Sequence, residues 1–221
     1  KGEIFMNYRA LLATMVMGVS LIGANSAQAG AEVGSWYIAP KAVYVDPDRL
    51  QRVINTGVAY KVGDALGASF SIGKVLNQNW DGELNYVYSV HGAGTDTAAT
   101  SYKSWEAVFN RVYMRDKRVN SFIGFGINSS TFSLTTSDSI IQGVNHRDWG
   151  YLVKTGAKMD VGYLNDNKNL SSVSSKGALQ LVAEIGWRVD GGLKGCDLCS
   201  TGTRYFENTF FGLGMSYNFG K

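Results

Sequence analysis

The final stretch of the chain alternates strictly between two kinds of residue, and this alternation constrains the fold more than any other feature. Between Phe211 and Phe219 the even positions carry glycine, serine or asparagine, and the odd positions are apolar. A period of two predicts a β-strand with one apolar face. We expect the apolar face to contact lipid and the small polar face to line the interior of a transmembrane barrel. The predicted lipid-facing residues are Phe211, Leu213, Met215, Tyr217 and Phe219.

Seven earlier segments have the composition of strands, which makes eight in total. Most of the eight contain about 10 to 13 residues, the length that a strand needs to cross a bilayer at a tilt of about 45°. Strands of soluble proteins average about 5–6 residues. The pattern therefore predicts an all-β fold, an eight-stranded antiparallel up-and-down transmembrane β-barrel. The predicted strands are 35–45, 65–76, 80–91, 102–114, 119–131, 148–163, 177–189 and 205–219.

The start of the chain has the features of a secretory signal peptide. Residues 6–29 combine Arg9, an apolar run over 10–24 and the small-residue cleavage site Ala27-Gln28-Ala29. As a helix, the apolar run of about 15 residues would span about 22 Å, which is short of a hydrocarbon core of ~30 Å. An anchoring helix is therefore the weaker interpretation. We expect a mature chain that begins near Gly30 and forms one domain over 30–221.

Residues 1–5 precede the signal peptide and have a different explanation. The tripeptide Lys-Gly-Glu is what a ribosome-binding sequence would encode if it were translated in frame, and Met6 follows at a suitable distance. We interpret residues 1–5 as a misread leader, which would make the source bacterial.

The composition narrows the range of functions. The formal net charge of +3 is small and the basic residues are not clustered, so we expect no nucleic-acid partner. The mature chain has no run of 18 or more apolar residues, so a membrane protein of this sequence must close its backbone hydrogen bonds in a barrel. No nucleophile elbow, phosphate loop or metalloprotease motif is present, so we expect neither an enzyme nor a cofactor.

Charged residues recur on the strand faces opposite the aromatic ones, the reverse of a water-soluble barrel. One of them, Arg111, stands at an odd position, whereas the other polar residues of its strand stand at even positions and so face the other way. We expect a β-bulge near 109–111 to bring Arg111 to the same face as these residues. An interior of eight strands holds only side chains, so this network could plug the barrel or gate a narrow path, and plugging is favoured. The predicted interior charges are Glu83, Glu106, Arg111, Lys154, Lys158, Asp160, Glu184 and Arg188.

The predicted loops carry two further candidate sites. Cys196 and Cys199 fall in the last exposed loop, where an oxidising compartment favours a disulfide over a redox motif. His91 and His146 border other exposed loops, so the four residues could instead form a Cys₂His₂ zinc site, although we expect no metal. The tryptophans should form girdles near the strand ends; they are Trp36, Trp80, Trp105, Trp149 and Trp187.

The mature chain resembles the N-terminal barrel domain of the OmpA family. The resemblance rests on GSWYIAPKAVYVDPD at 34–48, NWDGELNYVYS at 79–89, YLNDN at 163–167 and GLGMSYNFGK at 212–221. It implies an interior without a wide pore, crossed by acid–base pairs that are proposed to gate a narrow one. Glu83 matches an interior acid of the family, and Arg111 and Asp160 are weaker matches. Val182 stands where the family has an interior arginine, which puts the gate in doubt.

The resemblance also implies a function and a set of partners. Family members continue through a hinge into a peptidoglycan-binding domain, and this sequence stops where such a hinge would begin. We expect a structural outer-membrane barrel that stabilises the bacterial outer membrane and displays surface loops. Its partners would be outer-membrane lipid and lipopolysaccharide, the barrel assembly machinery, and peptidoglycan through a domain beyond residue 221. The alternatives are a small solute channel and, less favoured, an enzyme at the loop rim that would use His91, His146, Asp96, Asp138 or Ser139.

Overall fold

The structure is a computed structural model. The predicted leader and signal peptide lie outside the residues that it describes, and so do Cys196, Cys199, Asp96, Asp138 and Ser139. Within the described ranges, no helix is long and apolar enough to cross a membrane. These ranges are 32–47, 51–52, 59–60, 63–92, 98–136, 144–160, 179–190 and 206–219.

Eight long antiparallel strands close into a barrel, which confirms the predicted fold class. Each barrel strand pairs with its neighbours along the chain, and the first pairs with the last to close the sheet. A separate two-stranded sheet is formed by β2 (Gln51–Arg52) and β3 (Ala59–Tyr60), between the first two predicted strands, where no strand was predicted. The barrel strands are β1 (Trp36–Pro47), β4 (Ala65–Asn77), β5 (Trp80–Gly92), β6 (Ala98–Tyr113), β7 (Val119–Thr136), β8 (Val144–Asp160), β9 (Leu179–Asp190) and β10 (Phe206–Phe219).

The two ends of the barrel differ in their connections. The turns at 78–79 and 114–118 lie at the end where β1 begins and β10 finishes, which we call the turn end. The turn end also carries the β8–β9 connection, residues 161–178, whereas the connections β1–β4, β5–β6, β7–β8 and β9–β10 lie at the opposite end, which we call the loop end. Outer-membrane barrels have short turns on the periplasmic side and longer loops outside.

The strands differ from the sequence prediction in two respects. The predicted bulge near 109–111 is absent, because β6 pairs without interruption with both of its neighbours over that region. A register shift is found instead between Val75 and Asn77, where β4 meets β5. In addition, β6, β7 and β8 extend further toward the loop end than predicted, because residues 98–101, 132–136 and 144–147 continue the ladder of strand pairs.

The outer wall of the barrel is apolar, as in a barrel that is surrounded by lipid. Large hydrophobic side chains point outward from every barrel strand, and Leu213 at mid-strand is 56% exposed. On each strand these residues alternate with buried ones. The outward aromatic residues include Trp36, Tyr88, Trp105, Phe109, Tyr113, Phe125, Trp149, Tyr151, Trp187, Tyr217 and Phe219.

Three aromatic rings inside the barrel each lie next to a glycine on the neighbouring strand, where a side chain would meet the far edge of the ring. Tyr37 is directly opposite Gly73 in the register, and a Cβ atom at that glycine would lie 2.1 Å from the tyrosine ring. The same arrangement places Phe122 against Gly156, and Phe210 against Gly186. Because the interior is narrow, each ring needs the space that a missing side chain leaves. We call these the ring–glycine pairs.

The orientation of the outer wall can be tested with two substitutions of the same kind at different depths. Leu213 lies near the middle of β10, whereas Leu66 is the second residue of β4, at the loop end. Leu213→Arg is expected to lower the free energy of unfolding by about 2–4 kcal/mol, and Leu66→Arg by about 0–1 kcal/mol. Denaturant titration in lipid vesicles measures both values. Equal losses would contradict a transmembrane orientation.

Candidate functional site: the charged barrel interior

Among the side chains that the structure describes, ten charged ones are buried inside the barrel, which makes its interior the candidate functional site. Four are cations and six are carboxylates. Interior charges stay buried only if they are paired or hydrogen-bonded, because an uncompensated charge is costly to desolvate. The cations are Lys41, Lys154, Lys158 and Arg188, and the carboxylates are Asp81, Glu83, Glu106, Asp160, Glu184 and Asp190.

Four of these residues form a closed ring of alternating charge across the middle of the barrel, which we call the central network. Lys41 Nζ is 2.6 Å from Glu184 Oε1 and 3.7 Å from Glu83 Oε1. Lys154 Nζ is 2.8 Å from Glu83 Oε1 and 3.2 Å from Glu184 Oε2. Each lysine thus contacts both glutamates. Since the four residues stand on β1, β5, β8 and β9, the network connects opposite walls.

Neutral donors complete the surroundings of Glu83. The hydroxyl of Tyr37 donates to Oε2 at 3.0 Å, and the side-chain amide of Asn110 donates to the same oxygen at 3.1 Å. The hydroxyl of Ser71 lies 3.0 Å from Oε1 and 2.9 Å from Asn85 Oδ1. Both oxygens of this buried carboxylate are therefore satisfied, as a stable interior charge requires.

A second ion pair lies closer to the loop end. Arg188 pairs with Glu106 and donates from Nη1 to Asn208 Oδ1 at 3.0 Å. Its guanidinium also lies 4.6 Å from the ring centre of Phe210, within the range of a cation–π interaction. The amide of Asn85 donates to Glu106 Oε2 at 2.8 Å. Because Asn85 also lies beside the Ser71 hydroxyl that contacts Glu83, it connects the second ion pair to the hydrogen bonds around Glu83.

Carboxylates near the two ends of the barrel are also engaged. At the turn end, Asp81 pairs with Arg115 and lies 3.3 Å from Lys158 Nζ. Toward the loop end, Asp190 accepts hydrogen bonds from Ser130 at 2.7 Å and from Asn128. Polar contacts thus lie at several successive heights along the barrel axis and are not confined to a single constriction.

Most of the charges that the sequence predicted to be interior are buried there. These are Glu83, Glu106, Lys154, Lys158, Asp160, Glu184 and Arg188.

Arg111 is a correction, because its side chain is exposed on the outer wall. Its guanidinium lies 5.7 Å from the ring centre of Trp80 and 5.6 Å from that of Tyr113. With no bulge in β6, its odd position points outward while the even positions Glu106 and Asn110 point inward.

The sequence prediction missed three interior charges, although their odd or even positions in the strands could have revealed them. Lys41 alternates with the outward residues of β1, Asp81 shares the parity of Glu83, and Asp190 shares that of Arg188. Val182, which aligns with an interior arginine of the OmpA family, is buried in an apolar cluster with Val112 and Phe122. The central network therefore uses Lys41 and Lys154, without an arginine at position 182.

His91 lies one residue before the end of β5, where it borders a loop as predicted, but its side chain is engaged inside the barrel. It is buried, its Nδ1–H donates to the carbonyl oxygen of Gly63 at 2.7 Å, and Nε2 lies 2.8 Å from the hydroxyl of Ser89. Among the described residues there is no group of three side chains that could hold a metal ion. The backbone of His146 lies in β8, and its side chain is outside the described part, as are the two cysteines.

The closing strand and the tryptophans occupy the outer wall. Leu213, Met215, Tyr217 and Phe219 are exposed, whereas Phe211 is only partly so. Trp36 and Trp80 begin their strands, as a girdle at the turn end would require. Trp105 lies in the middle of β6, contrary to its predicted place near a strand end, because β6 begins four residues earlier than predicted.

Comparison with known proteins shows which fold this is. No family model matches the sequence, and no curated protein matches it either. Among solved structures, Neisserial surface protein A is similar with a TM-score of 0.57 and 13% identity over 83% of this chain and 97% of that one. Outer membrane protein OprG from Pseudomonas aeruginosa is similar with a TM-score of 0.56 and 13% identity, over 87% of this chain and 99% of that one.

A third solved structure leads to the same conclusion. Outer membrane protein AlkL, determined in DMPC lipid bilayers, has a TM-score of 0.53 and 13% identity over 89% of this chain and 95% of that one. The matches confirm the predicted eight-stranded barrel, the fold of bacterial outer-membrane proteins, and the apolar outer wall agrees with that location. At this level of identity the likeness concerns the fold.

Proposed function

We propose that this protein is a structural barrel of the bacterial outer membrane, which spans and stabilises the membrane and displays its loops outside, rather than an open channel. The observation that carries the proposal is the central network, which connects opposite walls through Lys41, Glu83, Lys154 and Glu184. An interior of eight strands is only wide enough for side chains, and here charged side chains cross it. The proposal assigns the chain no catalytic activity.

The proposed role includes specific partners. Outer-membrane lipid would surround the apolar wall, and the barrel assembly machinery would insert the chain. Lipopolysaccharide would form the outer leaflet around the loop end. Peptidoglycan would be reached only through a domain beyond residue 221, and sequencing of the gene downstream of that codon tests this part of the proposal.

Conductance in planar bilayers tests whether the interior is plugged. The folded wild-type protein is expected to give rare openings or none. Replacing Lys41 and Glu184 by alanine removes the 2.6 Å ion pair from the central network and is expected to produce frequent openings, since the lumen loses two of its four crossing side chains. The matched control replaces Lys74 and Glu207 by alanine, two charged residues on the outer wall, and is expected to stay closed.

One outcome would count against the proposal, and another would count against the role given to the central network. Steady conductance of the wild-type protein would favour the alternative of a small solute channel. A closed Lys41→Ala/Glu184→Ala variant would show that the barrier lies at another level of the interior.

A further inference from the structure

Two cations point outward from the barrel wall at the loop end, on either side of one strand. Lys103 on β6 is opposite Thr131 on β7, and Thr131 is opposite Arg147 on β8. The two cations therefore belong to one row across three strands, with their Cα atoms about 10 Å apart, which is two strand spacings. Both are exposed. Their long side chains can reach one ligand placed over Thr131.

A row of aromatic residues lies directly beneath these cations, on the side of the membrane centre. Trp105, Ser129 and Trp149 are opposite one another on the same three strands, and the tryptophans are 55% and 66% exposed. Arg147 Nε donates to Ser129 Oγ at 3.1 Å, so the arginine side chain extends from its own row into the tryptophan row. The wall thus presents a polar, cationic level immediately above an aromatic one.

Few contacts of Lys103 and Arg147 compete with the binding of an anionic ligand. Lys103 Nζ lies 6.0 Å from the ring centre of Tyr88, at the outer limit of a cation–π interaction. In the part of the chain that the structure describes, no carboxylate pairs with Lys103 or Arg147. Two acids on the outer wall near the loop end, Asp46 and Glu207, stand on β1 and β10, almost opposite β7 around the barrel. Among the described side chains, no nearby acid offsets the positive charge of this wall.

The arrangement matches an amphiphile with a phosphorylated sugar head. Arginine and lysine bind phosphate, the hydroxyl of Thr131 can donate to a sugar or phosphate oxygen, and exposed tryptophans suit the boundary between headgroups and acyl chains. The loop end faces the outer leaflet if the protein has the proposed function, on which this inference rests. We propose that Lys103, Thr131, Arg147, Trp105 and Trp149 form a binding site for one phosphorylated glycolipid of the lipid A class.

Lipid A binding to the purified, folded protein in zwitterionic detergent micelles tests the proposal. We expect saturable binding of about one lipid A per barrel. The variant Lys103→Gln/Arg147→Gln is expected to bind at least about tenfold more weakly, a loss of about 1.4 kcal/mol. The matched control is Lys74→Gln/Arg111→Gln, which neutralises two cations of the same outer wall that contact aromatic rings nearer the turn end. This control is expected to bind as the wild type does.

Further ligands separate the possible sources of the phosphate. Lipid A without its phosphates is expected to bind the wild-type protein as weakly as intact lipid A binds the double variant. Equal binding of phosphatidylglycerol and lipid A would overturn the choice of a glycolipid, and equal losses in the two double variants would reduce the site to general attraction between opposite charges. Unchanged binding by Lys103→Gln/Arg147→Gln would overturn the site altogether.

The test is separable from that of the proposed function. A protein that is closed in planar bilayers but does not select lipid A would keep the structural role and lose this site. A protein that conducts steadily but binds lipid A at these residues would keep the site and lose the plugged interior.

Discussion

Replacement of Lys154 by methionine is expected to lower the free energy of unfolding by about 3–5 kcal/mol. Methionine keeps most of the volume of the side chain but removes the ammonium group that lies 2.8 Å from Glu83 and 3.2 Å from Glu184. Lys41 then remains as the only cation of the central network and faces two buried carboxylates. The measurement is a urea titration in phosphatidylcholine vesicles, followed by tryptophan fluorescence.

The control for this substitution is Lys74→Met on the outer wall. That change removes one cation–π contact with Trp36, which should cost about 0.5–1 kcal/mol. A loss of less than about 1 kcal/mol for Lys154→Met would mean that water in the lumen solvates the two glutamates and that the network does not hold the walls together.

Replacement of Arg188 by leucine is expected to have an effect of similar size, about 3–5 kcal/mol. Arg188 is fully buried and is the cation paired with Glu106, so the substitution leaves that carboxylate with the amide of Asn85. Unlike the central network, this pair contains one cation and one carboxylate. The double variant Arg188→Leu/Glu106→Leu should recover part of the lost stability, since apolar residues often replace a buried ion pair at little cost, while the amides of Asn85 and Asn208 each lose a partner.

The same urea titration measures both Arg188 variants. Arg147→Leu, which removes an exposed arginine from the outer wall, serves as the control and should change stability little. If the double variant were as unstable as Arg188→Leu alone, the main contribution of Arg188 would be its packing against Phe210 and Tyr102 instead of its charge.

The barrel could be predicted because its strands follow one simple physical rule. A wall with lipid on one side and packed polar side chains on the other requires strict alternation, and β10 shows it without interruption from Phe211 to Phe219. The loop-end extensions of β6, β7 and β8 could not be predicted. Each extension adds only four or five residues; residues 98–101 of β6 include no large apolar side chain, and the alternation of Phe132 and Leu134 in β7 is too short to be distinguished from the Ser- and Thr-rich segment around it.

Arg111 shows where the reasoning from charge went wrong. The prediction placed Arg111 on the same face as the polar residues Glu106 and Asn110, and it introduced a bulge to bring it there. The structure keeps the regular register and places this guanidinium beside Trp80 and Tyr113 on the outer wall. A long cationic side chain near a strand end can pack along aromatic rings while its charge reaches the polar headgroups.

The pairing of the interior charges lies beyond sequence reasoning for a different reason. Glu83 contacts Lys154 across 71 positions of the chain, and Lys41 contacts Glu184 across 143. Alternation shows that each residue faces inward, but the height at which it meets a partner depends on the tilt and stagger of all the strands between them. The odd or even position of a residue in its strand therefore predicts whether its side chain belongs to the interior. Only the closed barrel determines which interior side chains contact each other.

The ring–glycine pairs also limit how this sequence can evolve. Gly73 cannot acquire a side chain while Tyr37 keeps its ring in place, because a Cβ atom there would meet only the ring and hydroxyl of that tyrosine as its nearest neighbours. Conversely, a smaller residue at position 37 would leave a void beside the glycine. The two positions are 36 residues apart in the sequence but opposite each other in the register, so a substitution at one should be inherited together with a compensating substitution at the other.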